Sequence, residues 1–260
     1  MGKAALVTGG ARRLGRAMVL ALARQGYDVA IHYADSGVAA EETAEDARAL
    51  GAKAVTVQAD LLCAADQDAL IGRASKALGA PLGVLINNAS IFEYDTLDTA
   101  TRDSWDRHLE SNLRAPFVLI QHFARQVPKG ARDAQAEPLA SGCVINLIDQ
   151  RVRKLTPEFM TYTIAKAALW TLTQTAARAL APDIRVNAIG PGPTLQGARQ
   201  SDAHFSRQRR ATVLKRGSNP EDIVGAMTYI LDAPALTGQL LCIDAGQHLA
   251  WETPDVLGVE

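Results

Sequence analysis

The chain lacks the raw material for several classes of protein. No apolar run approaches the ~18 residues that a bilayer-crossing helix requires, so no membrane span is expected. There are only three cysteines, Cys63, Cys143 and Cys242, far apart and outside any CxxC pair. Each sits among apolar residues, and buried structural thiols are expected rather than a disulfide framework or a redox pair. The histidines (His32, His108, His122, His204 and His248) form no ligand cluster at usable spacing, so no metal site is suggested. Charge of one sign is missing as well: 27 Lys and Arg face 28 Asp and Glu, a net charge of -1. Global electrostatics therefore supply no reason to bind nucleic acid or an anionic membrane. Met1-Gly2-Lys3 runs straight into a short apolar stretch with no long h-region or cleavage site, which makes the cytoplasm the expected compartment.

What is present is an ordinary globular composition, 48% hydrophobic and 21% charged over 260 residues, enough to bury a full core. Short aliphatic or β-branched runs alternate with longer amphipathic stretches. Strands are expected at Ala4–Thr8, Asp28–Tyr33, Ala54–Gln58, Val84–Asn87, Cys143–Leu147, Arg185–Ile189 and Gln239–Ile243. Most are continuously apolar, as strands covered on both faces are. Helices are expected at Leu14–Gln25, Ala39–Leu50, Ala64–Leu78, Arg102–Gln126, Glu158–Leu180 and Pro220–Leu231. Gly26, Gly51 and Gly79 fall just past the first three, where a left-handed C-cap is wanted. This alternation predicts a single α/β domain, residues 1–260, of the Rossmann type. Its seven-stranded, mainly parallel sheet would be doubly wound, with helices on both faces.

Two stretches break the rhythm. Lys129–Ser141 is small, polar and Pro-containing, and reads as an exposed loop. Gly190–Asn219 opens with GPGPT and carries Arg199, Arg207, Arg209, Arg210, Lys215 and Arg216. It reads either as a solvated helix face or as a mobile lid, around 192–218, with a basic character suited to anionic or electron-rich ligands.

The segment Thr8-Gly9-Gly10-Ala11-Arg12-Arg13-Leu14-Gly15 leaves the first strand and opens the first helix. Backbone N–H groups at such a helix start bind a pyrophosphate, and glycines let the backbone approach it; a tight turn without a ligand is the alternative. The segment resembles the TGxxxGxG turn of the short-chain dehydrogenase/reductase family, with Arg13 replacing the middle glycine. TGxxxRxG is similar to the pteridine reductase branch of that family. A guanidinium at this turn can reach a cofactor phosphate or an anion in the adjacent site, and Arg12 beside it favours a 2′-phosphate.

The end of the second strand discriminates the adenosine ribose and reads His32-Tyr33-Ala34-Asp35-Ser36. It is similar to the HYxRS stretch that holds the phosphate in pteridine reductases, with Asp35 in place of the arginine. Asp35 lies two residues beyond the position usual for NAD selectivity and reads equally as a cap for the next helix. NADPH is the expected cofactor, with NADH left open by Asp35. The resemblance also implies cofactor contacts from Gly9, Leu14, Gly15, Tyr33, Asp60, Leu61, Asn88, Ala89, Ser90, Tyr162, Lys166, Pro191, Gly192 and Thr194. Asp60 and Leu61 match the adenine contact. Asn87-Asn88-Ala89-Ser90 matches the NNAG motif, with serine for glycine. Thr237-Gly238-Gln239 and Asp244-Ala245-Gly246 resemble the closing TGQ and DGG motifs, so the likeness runs from Lys3 to about Gln247.

Tyr162 and Lys166 lie four residues apart in a long helical stretch, which puts both on one face. A phenol titrates near ~10 and is a poor acid–base catalyst at neutral pH; a nearby ammonium lowers that value. The pair matches the YxxxK of the family. Asn112 matches the helix asparagine that holds a water near the lysine there. Thirteen residues before Tyr162 most members have a serine that holds a substrate carbonyl, whereas this chain has Asp149. An ionised carboxylate facing a developing alkoxide raises the barrier, because like charges at ~4 Å are costly away from bulk water. A carboxyl beside Tyr162 suits a ring nitrogen better, since hydride addition across C=N leaves a nitrogen that needs a proton. A loop cap is the alternative role for Asp149. Pteridine reductases have aspartate at this position, and Phe92 matches the phenylalanine on which their pterin stacks. The resemblance thus implies catalytic Asp149, Tyr162, Lys166 and Asn112, and substrate contacts from Arg13, Ser90, Phe92, Asp149 and Tyr162.

The leading expectation is an NADPH-dependent pteridine or dihydropteridine reductase acting on a small pterin or folate-like ring. The alternatives are a carbonyl reductase of 3-oxoacyl or sugar-type ketones, and a catalytically silent nucleotide-sensing protein on the same fold. A homotetramer is implied by the family alone, with the Arg102–Gln126 and Glu158–Leu180 helices pairing between subunits.

Overall fold

Short, mostly aliphatic strands such as Ala4–Val7 and Val84–Asn87 suit the middle of a covered sheet. In the computed structural model, which describes residues 2–197 and 200–253, those two sit there; Met1 and Arg199 lie outside the described residues. The sheet strands are β1 (Ala4–Val7), β2 (Asp28–Tyr33), β3 (Ala54–Gln58), β4 (Val84–Asn87), β7 (Gly142–Leu147), β8 (Ile184–Pro191) and β9 (Leu240–Ile243). Their order is β3-β2-β1-β4-β7-β8-β9, and every neighbouring pair is parallel. Alternate residues of each strand serve opposite faces. Val7, Ile31, Ile86 and Ile145 join the core under helices α1 (Arg13–Arg24), α2 (Gly37–Ala49) and α8 (Pro220–Asp232). Leu6, Ala30, Leu85 and Val144 join the core under α3 (Ala64–Leu78), α5 (Ala115–Gln126) and α6 (Met160–Leu180). The fold is therefore the doubly wound, Rossmann-like single domain that the strand–helix alternation predicts.

Two expectations change, and the last excursion shows the solvated helix that was one of its two readings. The helix expected over 102–126 is α4 (Arg102–Leu109), a π-helical turn at Glu110–Arg114 and then α5. A single π-turn carries no residue pattern of its own within a continuous helical stretch, and such turns gather at functional sites. The loop at 129–141 carries a small antiparallel hairpin, β5 (Ala131–Arg132) with β6 (Pro138–Leu139). The last excursion contains a short exposed helix, α7 (Asp202–Arg210). The thiols also divide: Cys143 is buried in the sheet, but Cys63 is exposed just ahead of α3, and Cys242 is half-buried on the edge strand β9.

The sequence order of neighbouring strands reverses between β1 and β4, and ligands of such sheets bind in the crevice outside the carboxyl ends of the strands there. The turn after β1, the Asn88–Ser90 strand end, Asp149 after β7 and Pro191–Thr194 after β8 all reach that edge. Among the described residues no helix is long and apolar enough to cross a membrane.

Phe123 on α5 is wholly buried in the second core beside Leu119 and Ile184. Phe123→Ala is expected to destabilise the fold by about 3–5 kcal/mol in urea unfolding; a loss below about 1 kcal/mol would contradict this packing.

Candidate active site

The turn between β1 and α1 is held from three sides. Thr8 Oγ1 accepts the N–H groups of Asn88 and Ala89, both at 2.9 Å, which ties the turn to the end of β4. The Asn88 amide returns two bonds, to the carbonyls of Thr8 (2.9 Å) and Gly9 (3.1 Å). Gly9 is left-handed at φ 59, and a Cβ on Gly15 would lie 2.0 Å from the Gly9 oxygen, so α1 can begin here only with glycine at that point. α1 starts at Arg12 without a side-chain cap and without an acidic residue in its first turn. Its first N–H groups and positive dipole end are therefore arranged for an anion.

His32 needs correcting as a phosphate contact. Its ring is buried, Nδ1 accepts the Gly9 N–H at 3.0 Å, and Nε2 donates to the Ala59 carbonyl at 3.0 Å. Burial pushes its pKa down to about 4, so it is neutral and supports the turn from behind. Asp35 is exposed, and Ser36 stands at the start of α2 without a side-chain capping bond, so the capping role is not realised by either. Arg12 and Tyr33 flank the same edge, Arg12 exposed and Tyr33 half-buried. Asp60 accepts the Leu62 N–H at 2.9 Å, beside buried Leu61.

Arg13 also differs from expectation. It is left-handed at φ 54, and its guanidinium donates to the carbonyls of Gln196 (2.9 Å) and Leu195 (3.1 Å) across the crevice. The basic character expected of the last excursion is largely engaged internally. Arg209 donates to the carbonyls of Pro193 (2.9 Å) and Ser218 (2.7 Å), Arg216 pairs with Asp222 and Lys215 with Glu252. Arg207 and Arg210 are exposed. Thr194 Oγ1 shares a 2.6 Å bond with Ser218, a buried partner that the sequence does not single out. Gly192 lies against Asp244, whose Cα would be 2.6 Å from an added Cβ.

The chemical groups converge above β7. Tyr162 Oη donates to Asp149 Oδ2 at 3.1 Å, while Asp149 Oδ1 accepts the Arg151 N–H at 2.8 Å. The carboxyl thus makes the loop cap and at the same time accepts the phenol. Lys166 Nζ donates to the Leu147 carbonyl at 2.8 Å and stands 5.7 Å from the centre of the Tyr162 ring. Burial raises the Asp149 pKa, and it lowers that of Lys166 to about 8. Tyr162 moves opposite to expectation: burial, then the Asp149 carboxyl, lift its pKa well above 10, so the phenol keeps its proton. Asn112 is buried in the π-turn, accepts the Ser90 hydroxyl at 2.7 Å and donates to the Ile91 carbonyl at 2.9 Å. Its side chain thereby fastens the loop that carries Ser90 and Phe92.

Phe92 is 44% exposed, edge-on to Tyr162 with centroids 4.7 Å apart, and stacked on Phe159 at 4.3 Å with planes 7° apart. The Arg151 guanidinium lies 4.8 Å from the Phe159 centroid. Neither Phe159 nor Arg151 is apparent from the sequence motifs; the available signal is the three-residue spacing from Phe159 to Tyr162. Among the described residues no group of His, Cys, Asp and Glu has metal-holding geometry.

A family model described as enoyl-(acyl carrier protein) reductase, of the short-chain alcohol dehydrogenase type, matches residues 9–248. The structure of FolM alternative dihydrofolate reductase 1 from Brucella suis, in complex with NADP, is 42% identical with a TM-score of 0.89, covering 97% of each chain. A short-chain dehydrogenase from Burkholderia cenocepacia in complex with NADP is 32% identical with a TM-score of 0.86, covering 95% of this chain and 98% of that one. The 3-oxoacyl-[acyl-carrier-protein] reductase of Staphylococcus aureus is 32% identical over 254 residues, 96% of this chain and 99% of the relative.

Gly15→Ala forces the added methyl into the Gly9 oxygen and the Asn88 amide, 2.8 Å away. NADPH affinity is expected to fall by about tenfold or more (~1.4 kcal/mol) in a fluorescence titration, with far-ultraviolet circular dichroism unchanged. Unaltered affinity would remove this turn from the binding site.

Proposed function

Because the chain belongs to the short-chain dehydrogenase/reductase family, we propose that it is an NADPH-dependent reductase of pterin or dihydrofolate rings. The observation that carries this reading is the Tyr162–Asp149 hydrogen bond: a buried phenol and a half-buried carboxyl stand where a carbonyl reductase wants a neutral hydroxyl. The likeness to the Brucella suis protein named as a dihydrofolate reductase supports it.

The uncapped start of α1, the left-handed Gly9 and the exposed Arg12 fit a dinucleotide phosphate. On this reading Gly9, Arg13, Leu14 and Gly15 hold the pyrophosphate, Arg12, Tyr33 and Ser36 the 2′-phosphate, and Asp60 and Leu61 the adenine. Asn88, Ala89, Ser90, Pro191, Gly192 and Thr194 line the nicotinamide end. When bound, NADPH supplies the hydride. Phe92 stacks on the flat substrate and Tyr162 gives its retained proton to the ring nitrogen. Lys166 steadies the resulting phenolate, and Asp149, whose pKa burial raises, passes on a proton from solvent. Residues 192–218 act as the lid, tethered by Arg13. Exposed Trp105, Phe117 and Ile164 on α4, α5 and α6 support pairing of these helices between subunits of a cytoplasmic homotetramer.

The Staphylococcus aureus relative favours a second reading, reduction of a 3-oxoacyl ester. NADPH oxidation assays with dihydrofolate, dihydrobiopterin, a quinonoid pterin and a 3-oxoacyl ester separate the two. Asp149→Ser is expected to lose about 100-fold or more on the pterins and to keep or improve carbonyl reduction. A variant that keeps full pterin turnover would sink the proposal.

The Lys166 ammonium deprotonates near pH 8. A base with a depressed pKa is charged below that value and neutral above it, so kcat/KM should fall as pH rises through about 8. A profile flat to about pH 10, the ordinary lysine range, would show that this charge is not needed.

A further inference from the structure

Helix α6 carries Tyr162 but does not cap itself. Its first flanking residue, Phe159, is left-handed (φ 55, ψ 49) and makes no side-chain capping bond. A bulky aromatic residue persists in that conformation only when its surroundings over-determine it. Asp95, in the loop between β4 and α4, supplies what is missing. Its carbonyl accepts the N–H groups of Phe159 (2.8 Å) and Met160 (3.4 Å), and its carboxylate accepts the Thr161 N–H at 3.2 Å. These are donors that a helix start leaves without partners, taken up by a residue more than 60 positions earlier in the chain. The second carboxylate oxygen accepts the hydroxyls of Thr161 and Ser104.

A buried histidine completes the arrangement. His108 Nε2 accepts the Glu93 N–H at 3.1 Å, so Nδ1 carries the proton and donates to Thr161 Oγ1 at 2.6 Å. The Thr161 hydroxyl thus accepts from His108 while it donates to Asp95. Asp95, His108 and Thr161 are all at most 2% exposed. On either side of Thr161 this anchor meets the candidate site. The Phe159 ring backs Phe92 in a near-parallel stack, and Tyr94 packs edge-on to Phe159 at 5.2 Å. Tyr162 begins the acid pair with Asp149.

We infer that Asp95 is a positioning residue for this site: it holds the left-handed turn that lays Phe159 flat behind Phe92, and so sets the plane offered to a flat substrate ring beside Tyr162. The inference rests on the pterin reading for its choice of substrate, but the anchoring of Tyr162 does not. Phe159 becomes a specificity residue, favouring a planar bicyclic substrate over a flexible acyclic one.

The test assays NADPH oxidation with a dihydropterin and with a 3-oxoacyl ester, together with NADPH affinity, for wild type, Asp95→Asn, Phe159→Leu and Phe159→Tyr. Asp95→Asn keeps the size of the side chain but replaces a carboxylate acceptor with a donor. It is expected to lose about tenfold or more in kcat on either substrate that the wild type reduces, with NADPH affinity within about twofold. Phe159→Leu should lose about tenfold on the pterin but stay within about twofold on the ester, and Phe159→Tyr, which keeps the ring, should restore pterin reduction. Wild-type kcat in Asp95→Asn, or parallel loss of NADPH binding in that variant, overturns the anchor. Equal loss on both substrates in Phe159→Leu overturns the backing role. If the wild type reduces the ester and no pterin, the functional reading fails, and the ester kcat of Asp95→Asn alone judges the anchor.

Discussion

A buried phenol and a half-buried carboxyl that must share one hydrogen bond constrain everything around them. Asp149 follows the end of β7, Tyr162 sits in the first turn of α6, and the two are thirteen positions apart in sequence. For the 3.1 Å contact to exist, strand and helix ends must be fixed independently of each other. The strand end is fixed by the sheet, where Asn146 of β7 lies in register with Asn87 of β4 and their side chains bond at 2.8 Å. The helix end is fixed by a loop from the far side of the crevice. Burial then shifts Asp149, Tyr162 and Lys166 away from charge, and the site holds its proton on the phenol instead of releasing it.

The sheet was legible because its strands are continuous aliphatic runs, and such runs are stable only between two layers of helices. Strand bounds such as Asp28–Tyr33, Ala54–Gln58 and Val84–Asn87 are the ones found. The turn chemistry was also legible, since Gly26, Gly51 and Gly79 all adopt positive φ. What was not legible depends on partners remote in sequence. His32 looks like a phosphate ligand until its two nitrogens are seen bonded to Gly9 and Ala59. Lys166 looks like a direct partner of the Tyr162 hydroxyl until, with the phenol protonated, Asp149 is seen to claim the hydroxyl and Leu147 the ammonium. Helix periodicity placed the start of α6 at Glu158, but the chain turns left-handed at Phe159 and the helix begins at Met160.

Cationic side chains show the same limit from another side. A run rich in arginine suggests a surface that attracts anions, yet much of its charge is directed at the protein's own carbonyl oxygens. Arg209 alone donates to Pro193, Gly217 and Ser218 and to the Asn219 side chain. Arginine suits this use because its planar fork satisfies several acceptors at once. Composition counts such residues as surface charge, whereas the fold uses them to define the shape of an otherwise irregular segment.

Arg13 joins two parts of the chain more than 180 residues apart through one guanidinium and two carbonyls. The same fork lies beside the helix start suited to a phosphate. Any anion that recruits it must compete with Leu195 and Gln196, so occupancy of the crevice and freedom of that segment become a single coupled equilibrium. By reciprocity, a change that loosens the segment would strengthen the anion's hold by the same factor.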